Sequence, residues 1–212
     1  MSYLIHMING YFAKGGPLMI FIFGVSVVAS FIGLEKLLYL RRFIKARSHY
    51  IATLNASIKS CEVKPDISTG IKEFDDLLFH VQDYCIESTG KTSIYMVFRE
   101  FLISAVPGIE RGLSTMAAWI SVAPLLGLLG TVGGMIETFR VITDYGLGNP
   151  NLTAEGISIA LITTQAGLTV AFPMVLFHNY LSNMARSVRD TLFKDGEDLV
   201  NKFSYEKRNS NV

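Results

Sequence analysis

This chain of 212 residues is half hydrophobic, only 17% charged and carries a net charge of +1, which is too apolar for an ordinary soluble domain. The near-neutral balance also excludes the concentrated basic face that nucleic-acid phosphates require. Its two cysteines, Cys61 and Cys85, lie in the most polar stretch and form neither a disulfide framework nor a CxxC metal pair, and are read as unpaired thiols in a reducing compartment.

The first element is a membrane span over residues 17–40, whose apolar heart, 17–34, makes about 27 Å of helix at 1.5 Å per residue. Glu35 and Lys36 follow it, and then Arg41, Arg42, Lys45 and Arg47. A secretory signal has the reverse order, so the segment is a retained helix with its N-terminus outside. Residues 41–111 read as a helical region on the other side. Within them, Ile71, Phe74, Leu77, Leu78, Val81, Tyr84 and Cys85 recur at helical spacing, leaving Lys72, Glu73, Asp75, Asp76 and Asp83 on the other face. Such a stripe packs on neighbouring helices or docks a partner, and spacing leaves both open. Pro65, Gly70 and Gly90 punctuate the region, and Pro107 with Gly108 precedes the next span.

Residues 112–183 hold the second and third spans, at 115–139 and 156–183, each with an internal proline, Pro124 and Pro173, expected to kink or loosen its helix. A tail, 184–212, closes the chain. Residues 41–111 carry ten Lys or Arg and the tail carries six, whereas the loop 140–155 carries only Arg140. By the positive-inside rule the long region and the tail are cytoplasmic and the short loop lies on the far side. The fold class is therefore all-α: an integral membrane protein with three transmembrane helices and helical cytoplasmic extensions.

Spans two and three carry small residues and hydroxyls where a purely lipid-facing helix would carry bulk. Pro124, Gly127, Leu128, Gly134, Met135 and Thr138 stack with Thr131, and Ile157, Ala160, Gly167, Leu168, Ala171 and Val175 stack with Thr164. Gly127, Gly130, Gly133, Gly134 and Gly167 are read as packing glycines, because no Lys-Ser or Lys-Thr follows to make a phosphate loop. Faces of this kind suit close packing or a narrow wet path, and a threonine can satisfy itself on the carbonyl one turn back. One chain cannot bury them all, which predicts a homo-oligomeric ring. His6, His49, His80 and His178 are scattered without a second ligand at metal spacing, so no metal or cofactor is expected and the histidines are read as surface or interfacial. No nucleophile and base can be assembled within the spans, so the chain is not read as an enzyme. Membrane proton relays use Asp, Glu or His inside the bundle, and here Glu35, Glu137 and Glu155 all fall near span ends. A titrating group, if one is used, has to come from another subunit.

The strings IERGLSTMAAWISVAPLLGLLGTVGGMIETF (109–139) and GISIALITTQAGLTVAFP (156–173) resemble the MotA/TolQ/ExbB proton channel family, in its short TolQ/ExbB branch. The resemblance implies a pentameric ring in the bacterial inner membrane around two helices of an ExbD/TolR-like single-span partner bearing a membrane Asp. The outside becomes the periplasm, and a TonB-like periplasm-spanning protein a further partner. Ion flow then drives work on the outer membrane or envelope, at about 2.3 kcal/mol per charge crossing 100 mV. Thr131 and Thr164 match the family's hydroxyls in spans two and three, and so stand as ion-pathway candidates with Thr163, Gln165 and Thr138 as supporting polar groups. Many relatives carry Glu where this chain has Ile159, which weakens the choice of proton over sodium; Gln165 or Thr163 is the available compensation. The extra span and large loop of the flagellar branch are missing. A structural membrane scaffold, or a stator-like subunit for gliding or using sodium, remain the alternatives.

Overall fold

The computed structural model describes residues 16–60, 91–146 and 150–209. They form four α-helices: α1 (Leu18–Ser60), α2 (Lys91–Glu110), α3 (Leu113–Tyr145) and α4 (Pro150–Asn209). Cys61, Cys85, the stripe from Ile71 to Cys85 and its flanking Pro65, Gly70 and Gly90 lie outside the described residues, as do His6, His80 and the side chain of His49. Three stretches, Leu18–Arg47, Leu102–Asp144 and Thr153–Asp198, are long and apolar enough to cross a bilayer. Among the described residues no strand occurs, so all backbone pairing is helical, as hydrocarbon demands.

The helices overrun the spans read from hydropathy. The 43 residues of α1 and the 60 of α4 extend about 65 and 90 Å, against roughly 30 Å of hydrocarbon. Hydropathy marks where lipid ends, whereas a helix ends only where its backbone pairing is interrupted. Helices α3 and α4 run unbroken through Pro124 and Pro173. Helix α3 stops where Gly146, at φ 71°, donates its N–H to the Ile142 carbonyl, and α2 and α3 are separated by Arg111 and by Gly112, at φ 85°. Both conformations are left-handed and fit glycine without a side-chain clash.

The chain divides into two compact units. The first comprises Met1–Glu35 and Gly112–Tyr180; the second comprises Lys36–Arg111 and Leu181–Val212. In the first, the start of α1 packs on α3 and α4 through Val25, Ala123 and Ala171, with Val122, Leu126 and Val170 around them. Gly33 makes room for the Phe177 ring and Met116: a methyl on Gly33 would stand 2.5 Å from Phe177 Cε1 and 2.9 Å from Met116 Cε. Large apolar side chains point outward from all three helices, among them Phe31, Leu125, Ile136, Leu161 and Phe172, each more than 60% exposed. Water would not tolerate such a surface; lipid or another chain covers it.

The second unit is built differently. Leu40, Phe43, Ile109 and Leu181 are fully buried. Lys36, only 6% exposed, donates from Nζ to the Gly108 carbonyl at 2.9 Å and lies 5.0 Å from the centre of the Tyr39 ring. Arg47 grips Asp195 with two hydrogen bonds of 2.6 and 2.8 Å, and Arg189 reaches Glu110 at 2.9 Å.

Candidate functional site

Helices α3 and α4 run antiparallel along a seam where backbone meets backbone. A methyl on Gly127 would stand 3.1 Å from the Thr163 carbonyl oxygen and 3.2 Å from Thr164 Cα. One on Gly134 would stand 2.7 Å from the Gly156 carbonyl oxygen, and one on Gly167 2.7 Å from that of Ala123. On Gly130 it would collide with the Thr163 side chain, and on Gly156 with the Thr138 hydroxyl. At Gly127 the neighbours would have to yield by a few tenths of an ångström, and at Gly130, Gly134, Gly156 and Gly167 no larger residue fits while the helices keep this separation, which is how small residues let membrane helices approach.

The seam line is displaced from the stripes drawn on the sequence. The buried positions that line the seam are Ala123, Gly127, Gly130, Gly134 and Thr138 on α3, where Leu128 and Met135 are exposed, and Gly156, Ala160, Thr163, Gly167 and Ala171 on α4, where Ile157, Leu168 and Val175 are exposed. Gly133 falls off the line: it is exposed, and a methyl there would meet nothing within 4 Å. Pro124 is half-buried and Pro173 is exposed. Gly156 and Gly33 were not singled out among the packing glycines. Gly156 stands four residues before Ala160, a spacing that could have marked it.

The candidate polar groups follow the same geometry. Thr138 is buried and donates its hydroxyl to the Gly134 carbonyl at 2.9 Å. Thr163, fully buried, shares its proton between the carbonyls of Ala160 at 2.9 Å and Ile159 at 3.1 Å. Thr131, half-buried, donates to Leu128 at 2.7 Å. Thr164 alone of these bridges the seam, donating at 3.0 Å to the Gly127 carbonyl on α3. Gly127 lies one turn from Thr131, so Thr131 and Thr164 stand at the same level of the helix pair, Thr164 across the seam and Thr131 beside it. Gln165, about 100° further round α4 from Thr164, is exposed.

A hydroxyl has one proton to give and two lone pairs to receive. Thr131 and Thr164, both half-buried, spend the proton on a backbone carbonyl and so present acceptor oxygens, which suits holding a water, a hydronium or a protonated carboxyl. Glu35, Glu137 and Glu155 are exposed, and none lies on the seam. His178, read from sequence as surface or interfacial, is half-buried, and its Nδ1 has no hydrogen-bond partner among the described residues.

Three membrane-capable helices, two of them closed on a glycine-lined seam, define a helical membrane protein. The sequence matches the MotA/TolQ/ExbB proton channel family over residues 68–192, and the chain belongs to that family. It is 29% identical to an ExbB homolog of Methanothermobacter thermautotrophicus across 81% of this chain and 61% of that protein. It is 38% identical to the biopolymer transport protein ExbB of Aquifex aeolicus across 40% of this chain and 55% of the relative. Similarity to the Tol-Pal system protein TolQ of Haemophilus influenzae is 35% over 36% of this chain and 34% of that one. In each case the chain spans less than two thirds of the relative's length.

Proposed function

We propose that this chain is the ring subunit of an ion-driven motor in the bacterial inner membrane, with its N-terminus periplasmic and its C-terminus cytoplasmic. It works with an ExbD/TolR-like single-span partner whose membrane Asp carries the titrating proton. The chain itself makes and breaks no covalent bonds. A pentamer of these subunits surrounds the partner's helices, and the motion driven by ion flow is passed to a TonB-like periplasm-spanning protein or its equivalent, for outer-membrane transport or envelope maintenance.

The observation that carries this reading is a pair of half-buried hydroxyls, Thr164 on the α3–α4 seam and Thr131 beside it. Thr164 reaches the Gly127 carbonyl and Thr131 lies one turn along, both half-buried with lone pairs to spare, in spans whose described carboxylates are off the seam. An acceptor surface without an acid of its own fits a carboxyl supplied by another subunit. The outward apolar faces of the first unit support a ring, because they need cover that one chain does not provide.

The test replaces Thr131 and Thr164 by valine, which keeps the shape and removes the oxygen. Both variants should assemble with the partner and lose ion-dependent work. Full activity at normal expression in both would leave the hydroxyls as packing groups and sink the assignment of the path to this seam.

A further inference from the structure

Gln165 is a polar side chain that the fold leaves open in the middle of a membrane-capable stretch. Helix α4 carries no charged residue or histidine from 156 to 177, and α3 carries none from 112 to 136. The run on α4 makes about 33 Å of helix, close to the hydrocarbon thickness, and Gln165 stands about 15 Å along it from Glu155. The bond from Thr164 to Gly127 sets the same level near the centre of the α3 run, so both helices place Gln165 near mid-membrane. Among the described residues its amide has no hydrogen-bond partner. An amide left bare in hydrocarbon is costly, so a polar group from outside this chain meets it.

Helix α1 packs on the α3–α4 pair through Val25, beside Ala123 and Ala171, with Val122, Leu126 and Val170 around them. At about 100° per residue, Thr131 lies about 140° round α3 from Leu126, and Thr164 and Gln165 lie about 120° and about 140° round α4 from Val170. All three therefore face away from α1. Thr131 and Thr164 have spent their protons on the Leu128 and Gly127 carbonyls, so they accept and do not donate. They can hold the O–H of a protonated carboxyl and offer nothing to a carboxylate. No charged group of the three helices supplies the missing donor at this depth: Arg111 and Glu137 bound the run on α3, Glu155 and His178 that on α4, and Glu35 and Lys36 follow that on α1.

We propose that Gln165 supplies it, donating an amide N–H to the carboxylate that another subunit brings beside Thr131 and Thr164. The assignment rests on the proposal that such a carboxyl comes to these hydroxyls. The threonine oxygens and the amide carbonyl accept from the acid, and the amide N–H donates to its anion. The bond to the anion is charge-assisted and the stronger, so Gln165 shifts the balance toward ion release, opposite to the threonines.

The complex, purified in mild detergent with the subunits that remain bound, is treated across a pH series with dicyclohexylcarbodiimide, which modifies membrane carboxyls in their protonated form. Labelling of the copurified subunit's membrane carboxyl is read by mass spectrometry, and its midpoint reports the balance of acid and anion. Gln165→Met keeps the length and removes the donor, so the midpoint should rise by about one pH unit, tenfold in that balance. Thr164→Val removes an acceptor and should lower it. Gln165→Asn keeps an amide and should move it less than Gln165→Met, and Thr169→Val, exposed one turn further along α4, should leave it unchanged. A midpoint that falls with Thr164→Val and stays with Gln165→Met, or that rises as much with Thr169→Val, overturns the role of Gln165 and leaves the seam reading standing. If neither Thr164→Val nor Gln165→Met moves it, or no copurified subunit is labelled, the seam reading fails and the proposal with it. Gln165→Leu is read if Gln165→Met does not assemble; loss of assembly in both makes Gln165 a packing contact between chains and overturns the proposal.

Discussion

The two units of this chain solve helix packing in opposite ways. In the first, α3 meets α4 through Gly127, Gly130, Gly134, Gly156 and Gly167, with threonine hydroxyls closed on backbone carbonyls and large apolar side chains turned outward. In the second, Leu40, Phe43, Ile109 and Leu181 turn inward, and charged groups are tied by Lys36 to a carbonyl and by Arg47 to Asp195. Lipid is as apolar as leucine, so burying leucine gives no advantage there and only close approach and hydrogen bonds hold helices together. Inward apolar packing with paired charges is instead the arrangement by which helices gain from removing apolar area from water. The first unit therefore depends on what is missing from its side chains, and the second on what is present.

The largest effect expected from this contrast is at the seam. Gly134→Leu puts bulk where a single methyl already stands 2.7 Å from the Gly156 carbonyl, so α3 and α4 must separate, at about 3 kcal/mol or more. The thermal midpoint and the yield of assembled protein in mild detergent should both fall sharply. A midpoint close to the parent's would show that the seam does not hold the unit together.

Next comes Lys36→Met, which keeps the length of the stem and removes the donor to the Gly108 carbonyl, at about 1–3 kcal/mol. A stability series in denaturant measures it. Asp195→Asn leaves the shape and removes the charge facing Arg47; with both side chains partly exposed, at 26% and 19%, about 1 kcal/mol is expected. That loss should shrink further in high salt, and a salt-independent loss would mark a packing effect instead.

The smallest effect is Gly133→Ala, one residue from Gly134 but facing open space. In the isolated chain the change should be neutral, or stabilising by up to about 1 kcal/mol through helix propensity. A loss confined to the assembled complex would reveal that another chain covers this face.

Composition and periodicity were enough to read three spans, because a helix in hydrocarbon must satisfy its own backbone and needs a long apolar run to do so. The strings around APLLGLLGTV and ALITT were enough to recognise the family. The facing of individual residues was less legible. Gly133 and Gly134 are neighbours of the same type, and only the approach of α4 makes one a contact and leaves the other open. Thr131 and Thr164 were singled out together, yet one closes on its own helix and the other crosses to Gly127, a difference of partner that a threonine's identity does not encode.

What the sequence by itself determined is the membrane class, the three spans, the charge asymmetry around them and the family. All of these are written in local composition, where each residue's cost in lipid adds to that of its neighbours. What only the tertiary structure decided is which small residues form the seam, where each hydroxyl proton goes, and that Lys36 and Arg47 are held inside while Arg41 and Arg42 stay open. Those outcomes depend on the azimuth and separation of helices distant in sequence, since a rotation of about 100° moves contact from one residue to the next.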